Sequence, residues 1–253
     1  MDRGLYVATS GGLFAARKVD VVAHNIANVS TVGFKAERLV GRQQEFGDTL
    51  ASILPKQAPR SKDDQARAPG VVHISTVTDF KQGPIEYTGN PLNVALQKEN
   101  QFFVVQTPEG EAYTKAGNFT MNSEGFLVTP DGLPVVGEGG PIALNGASAK
   151  IQGNGSVLVD NSLVGKVRVV EFTDLKGLKR SDGTRFTLAQ GAPPPQVAPN
   201  PEVITGSVET ANIQIVEAIV DLINAQKSFE AYGKSVQSIG ELNDLSLRSA
   251  RSA

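Results

Sequence analysis

The sequence predicts an α+β chain in which long terminal α-helices form a coiled-coil-like layer and a central all-β domain, a distorted barrel or sandwich, lies between them. Three observations support this. Apolar and small residues recur in alternating steps of three and four at both ends, the period shortens to two in the middle, and Gly and Pro become dense where it does. With 26 Gly, 14 Pro, no Trp and 6% aromatic residues in 253 positions, the composition suits short strands and turns better than an aromatic-cored enzyme.

The first helix starts near Leu5 and advances through Ala8, Gly12, Ala15, Val19, Val22 and Ile26, a heptad seam of the kind that packs lengthwise on other helices. Arg17, Lys18, Asp20, His24 and Asn25 lie off the seam. Asn28, Ser30 and Gly33 supply the exit, so the helix should end near Asn28.

Residues 37–69 follow as an extended arm or linker. From Pro55 to Pro69 the chain carries Lys56, Arg60, Lys62, Asp63, Asp64 and Arg67 with almost no large apolar side chain, which leaves it nothing to bury. The β domain is then expected over residues 70–200. Val71–Phe80, Gln101–Gln106, Asn118–Met121, Phe126–Thr129, Ser156–Val159, Lys166–Phe172 and Arg185–Leu188 have strand character. Between them, Asn122-Ser123-Glu124-Gly125, Pro130-Asp131-Gly132, Gly153-Asn154-Gly155 and Ser181-Asp182-Gly183 supply turn residues. Ala192-Pro193-Pro194-Pro195, with Pro199 and Pro201 beyond, has the composition of a stiff polyproline connector.

The second helix carries Ile215, Ala218, Leu222, Ala225, Phe229, Tyr232, Val236 and Ile239 at the same heptad spacing, with Asn212 as a plausible N-cap. It should run for roughly thirty residues, or about 45 Å. A helix of that length needs a partner along it. Residues 1–36 and 205–253 are accordingly assigned to one terminal helical assembly domain. Its interface is expected at Leu5, Val19, Val22, Ile26, Asn28, Ile215, Leu222, Phe229, Tyr232, Val236 and Ile239.

The same sequence argues against most chemistry. Lys and Arg number 24 against 26 Asp and Glu, without the basic excess that nucleic acid or a membrane surface favours. There is no Cys, and the two His, His24 and His73, stand far apart, so no metal site and no His or Cys catalyst is expected. Gly233-Lys234-Ser235 spells the end of a phosphate loop but falls inside a periodic helix. Gly137-Glu138-Gly139-Gly140 suits a turn better than a dinucleotide fingerprint. Asn28-Val29-Ser30 and Asn118-Phe119-Thr120 are short enough to be chance glycosylation triplets. Catalytic, cofactor-binding and metal-binding residues are therefore expected to be absent, and the protein is not expected to be an enzyme. No run of about 18 apolar residues favours a membrane span, and Asp2, Arg3 and the broken apolar pattern do not form a signal peptide.

Asn25-Ile26-Ala27-Asn28-Val29-Ser30-Thr31-Val32-Gly33-Phe34-Lys35 resembles the A-N-N-L-A-N-x-x-T-x-G-[FY]-[KR] signature of bacterial flagellar rod and hook proteins. Val208-Glu209-Thr210-Ala211-Asn212-Ile213 looks like the family's V-E-x-S-N-V. Ile223, Gln226-Lys227, Phe229-Glu230 and Lys234 look like its M-I-x-x-Q-R-x-[FY]-E-x-x-x-K helix, with Lys227 in place of Arg. Inside the chain, Gly89 to Leu96, Phe102-Phe103-Val104 and Ala112 to Phe119 resemble its P-L-D-V-A-I, G-F-F-x-V and Y-T-R-x-G-x-F block, with Asn93 where Asp is common.

The opening residues and Pro134 to Ile142 look most like the proximal-rod members, with distal-rod members as the alternative and a surface or fibre β-module with coiled-coil stalks a remote one. The resemblance implies a structural subunit of the flagellar rod, exported through the flagellar type III apparatus without cleavage. It also implies partners among copies of itself and other rod proteins, and a place in the basal-body rod within the periplasm. No cofactor, nucleic acid or direct membrane insertion is implied.

Overall fold

The computed structural model describes residues 3–43, 72–198 and 201–251. Among them the chain is α+β, with helix α1 (Arg3–Ala27) at one end, helix α2 (Ile215–Arg251) at the other, and short strands between. Helix α1 stops beside Asn28, as its exit residues predict. Helix α2 has 37 residues, longer than the apolar seam alone suggested. The Pro55–Pro69 arm lies outside the described residues.

By internal packing the chain divides into two compact units. The first comprises Met1–Ile26, Glu37–Val77 and Gln214–Ala253. It holds α1, α2 and a two-stranded sheet of Glu37–Gln43 with Val72–Thr78. Asn25 ties this sheet to its own helix, donating from Nδ2 to the Glu37 carbonyl at 2.8 Å while Oδ1 accepts from the Glu37 amide at 3.0 Å.

The second unit comprises Ala27–Ala36 and Thr78–Ile213. Its centre is a six-stranded sheet in the order Leu178–Asp182, Arg185–Leu188, Gly110–Thr114, Gln101–Thr107, Val169–Glu171, Gln196–Val197, antiparallel at every pairing. The strand Gln101–Thr107 has an apolar side chain at each of four consecutive positions, and in a strand successive side chains face opposite ways. Phe102 and Val104 therefore join one cluster with Tyr113, Val170, Phe172 and Phe186. Phe103 and Val105 join another with Phe119, Leu127, Val135 and Val169. Edge-on ring contacts, such as Phe102 with Phe172 at 5.4 Å between centroids and Phe103 with Phe119 at 5.1 Å, knit both clusters.

Around this sheet lie a three-stranded antiparallel sheet (Ala149–Ile151, Ser156–Val159, Ser162–Lys166) and two-stranded pairs. Thr120–Met121 pairs with Leu127–Val128, Val136–Gly137 with Gly140–Pro141, Val94–Leu96 with Val203–Thr205, and Ile85–Tyr87 with Ser207–Glu209. None of these sheets closes into a barrel. The six-stranded sheet ends at Leu178–Asp182 and Gln196–Val197, and the Gly- and Pro-broken strands elsewhere are too short to carry a ladder round a closed cylinder. The Pro-rich connector gives its last residues, Gln196–Val197, to the edge of the six-stranded sheet.

Candidate assembly site

Within the helical unit, α1 and α2 approach through small side chains. Ala8, Ala15 and Val22 recur every seven residues on α1 and are buried, and Ala225 is buried on α2. Gly11 and Gly12 receive the ring of Tyr232; a Cβ on Gly11 would stand 2.5 Å from its Cε1. Lys18 reaches Asp221 across the pair at 3.8 Å. A groove of about 430 Å³ beside the contact is lined by Ala16, Val19 and Asp20 of α1 and Gln226, Phe229 and Glu230 of α2.

The expected interface residues divide by burial. Leu5, Val19, Ile26, Asn28, Leu222, Val236 and Ile239 are half-buried and Val22 is buried, whereas Ile215, Phe229 and Tyr232 are exposed, Phe229 by 50%. Val19 and Phe229 come together on the walls of the groove. Asn28 stands in the turn after α1. Its Oδ1 accepts from the Thr31 hydroxyl at 3.2 Å and its carbonyl from the Thr31 amide at 3.1 Å, closing the turn after α1.

A second stripe on α2 escaped the sequence reading. Val216, Ile219, Val220 and Ile223 are all exposed, Val216 by 73%. Their i, i+3, i+4, i+7 spacing, at about 100° per residue, centres them about 130° round the helix from the seam's Ile215, Ala218, Leu222 and Ala225. That spacing was available in the sequence; the more regular seam drew attention away from it.

The β unit contains a second constellation, assembled from residues far apart in the chain. Lys35 and Glu209 are each buried, and the Lys35 Nζ lies 2.6 Å from Glu209 Oε1. Lys35 Nζ also donates to the Lys81 carbonyl at 2.6 Å, and the Gly83 amide donates to Glu209 Oε1 at 2.9 Å. Arg180 donates to the Lys35 carbonyl and stacks over the Phe34 ring at 4.7 Å. Gly33, at φ +71°, lies so close to the Lys115–Ala116 backbone that a Cβ would stand 2.2 Å from the Ala116 nitrogen. Its amide donates to the Glu209 carbonyl at 2.7 Å.

Lys115, also buried, donates to the Lys98 carbonyl at 2.7 Å and sits over the Phe102 ring. Burial lowers its pKa to about 7, and the Lys35 charge pushes the same way against the pull of Glu209 and Glu99.

Asn212 belongs to this constellation and does not cap α2. Its Oδ1 accepts from the Ala36 amide at 2.7 Å, and its Nδ2 donates to the carbonyls of Asp79 and Lys81. Both ends of the β unit are thus stitched into it by side chains of the two terminal motifs. Sequence reasoning found those motifs but not their pairing, because Lys35 and Glu209 stand 174 positions apart.

Three family descriptions match the chain: "Flagella basal body rod protein" over residues 5–35, "Flagellar hook protein FlgE/F/G D1 domain" over 98–159 and "Flagellar basal body rod FlgEFG protein C-terminal" over 204–248. Lys35, Lys115 and Glu209 fall one in each. Among similar proteins are the flagellar basal-body rod protein FlgF of Caulobacter vibrioides, 31% identical over 96% of either chain, and FlgG of the same organism, 30% identical over 95% of this chain and 96% of its own. The flagellar hook-basal body complex protein FlhO of Bacillus subtilis is 28% identical over 96% of this chain and 97% of its own.

Proposed function

The chain belongs to the flagellar basal-body rod protein family, a family of structural proteins and not enzymes, and on that premise we propose that it is a subunit of the proximal rod. It polymerises through its terminal helices into the drive shaft that transmits torque from motor to hook. Its partners are copies of itself and neighbouring rod proteins, it reaches the periplasm through the flagellar export apparatus, and its helices form the coiled-coil-like layer of the shaft. One observation supports this most: α2 presents large apolar side chains on two separate faces about 110° apart round the helix, Phe229 with Ile215 and Val216 with Ile223, which its own chain leaves exposed. A helix apolar on two sides suits burial among several others. Screw-related, heterologous contacts of that kind give open filaments.

Because the chain has no cysteine, single replacements report neighbours cleanly. Labelled with a thiol-attached photo-cross-linker, Phe229→Cys and Ile219→Cys are expected to capture a neighbouring subunit in purified basal bodies, and Glu138→Cys far less. Equal cross-linking at all three positions, or none at the helical pair, would overturn the helical interface. A distal position is the second reading, favoured by the 30% identity to the FlgG of Caulobacter vibrioides. A position-resolved map of labelled basal bodies decides between the two layers.

A further inference from the structure

We propose that Lys35, Glu209 and Lys115 form a proton-operated lock on the two terminal segments of the β unit, closed when Lys115 is neutral and loosened when it takes up a proton. Three charged side chains, each 0–1% exposed, come from the segment after α1, the strand Ser207–Glu209 and the residue after the strand Gly110–Thr114, where the Lys115–Ala116 backbone lies against Gly33 and Gly33 bonds the Glu209 carbonyl. With Lys115 neutral, one cation and one anion are buried together and their charges cancel. With Lys115 protonated, the group holds two cations against one carboxylate, and burying the surplus charge is costly.

The groups facing Lys115 are few. Glu209 comes from the strand Ser207–Glu209, Lys35 from the segment after α1 and Glu99 from the turn before Gln101, while Lys98 offers only its carbonyl and Phe102 its ring. Glu99 is exposed and already accepts from the Gln82 amide at 3.2 Å. Glu209 holds Lys35 and the Gly83 amide through Oε1 alone, and its buried Oε2 has no protein partner. The carboxylate therefore depends on one cation, which a second charge nearby disturbs.

The sign follows from linkage. Lys115 has an ordinary pKa near 10.5 when its segment opens to water and about 7 when closed. The closed state thus binds fewer protons between those values and gains stability as pH rises through that window. Below about 7 both states carry the proton and this contribution is gone. The amides that report closure are Gly33, bonded to the Glu209 carbonyl, and Gly83, bonded to the Glu209 carboxylate.

The test uses the full chain as a dilute monomer, so its outcome is independent of whether the protein forms rods. The lysine side-chain NMR resonance of Lys115 is expected to titrate near 7. Exchange protection factors of Gly33 and Gly83, corrected for intrinsic rates, should fall by about tenfold or more between pH 9 and pH 6. Lys115→Met should hold both amides protected at either pH, and Lys115→Arg should leave both poorly protected at either pH. A Lys115 midpoint above about 10, or wild-type protection unchanged between the two pH values, overturns the lock. If Lys115→Met fails to fold, Lys115→Arg keeps the question decidable: a wild-type-like fall in protection with pH in that variant assigns the effect to another group.

Discussion

Phe34 and Phe229 each lie in a terminal motif, yet their surroundings differ as far as two phenylalanines can. Phe34 is fully buried, roofed by Arg180 and followed by a lysine whose charge is matched inside the same unit. Phe229 is half-exposed on a helix that also leaves Ile215, Val216, Ile219, Val220 and Ile223 exposed. In the β unit, apolar surface, buried charge and strand amides mostly find partners within one chain. In the helical unit the pattern is just as regular, but one chain leaves several of its large residues, such as Ile215, Val216 and Phe229, exposed. The contrast separates two kinds of sequence information, one satisfied within the chain and one that the chain leaves exposed.

That contrast can be broken by substitution. The largest effect is expected from a charge on the helical seam. Ile26→Asp or Phe229→Asp should abolish rod incorporation and motility while leaving the β unit's melting unchanged. Each buried apolar contact is worth about 2–5 kcal/mol and each 1.4 kcal/mol about tenfold in assembly equilibrium. Blotting of purified basal bodies together with calorimetry checks it, and normal incorporation of either variant would erase the distinction drawn above.

The converse substitutions belong to the β unit. Phe103→Ala should cost about 3–5 kcal/mol of its stability in denaturant unfolding by leaving a cavity between rings. Glu209→Ala should cost a similar amount by stranding the Lys35 charge. Either variant melting like wild type would show that this unit is not self-sufficient in the way described. Gly33→Ala belongs with them, at about 3 kcal/mol or more, because strain at φ +71° adds to a Cβ driven against the Ala116 backbone. Smallest of all, Glu138→Ala removes only a half-exposed partner 3.2 Å from Lys166. It should shift stability by less than about 0.5 kcal/mol.

What the sequence revealed follows range along the chain. The helices were visible because their period repeats for several turns, and Ser156–Val159 and Arg185–Leu188 because they alternate over four residues between strong turns. Val94–Leu96 and Ile85–Tyr87 were missed: three residues do not display a period, and each is held by a partner over a hundred positions away. Asn212 shows the same limit. Its residue type and its place before a helix suggested a cap, but the acceptors and donors nearest in space belong to Ala36, Asp79 and Lys81. The expectation of a barrel rested on strand number, which cannot show that the outer strands of the central sheet stay apart.

The glycine pair on α1 adds a mechanical consequence. Tyr232 drops its ring into the notch left by Gly11 and Gly12, where even a methyl group on Gly11 would collide with it. Two helices meeting only through alanines could slip past each other by one turn, about 5.4 Å, and still present small residues to one another. A bulky ring seated in a gap of matching width works instead as an index pin. It assigns one axial setting to the helix pair and so fixes how far the tip of α2 stands from the first turn of α1. Where many copies stack in a column, an error of one turn in each would accumulate along its length, and a single tyrosine in a two-glycine slot stops it at the source.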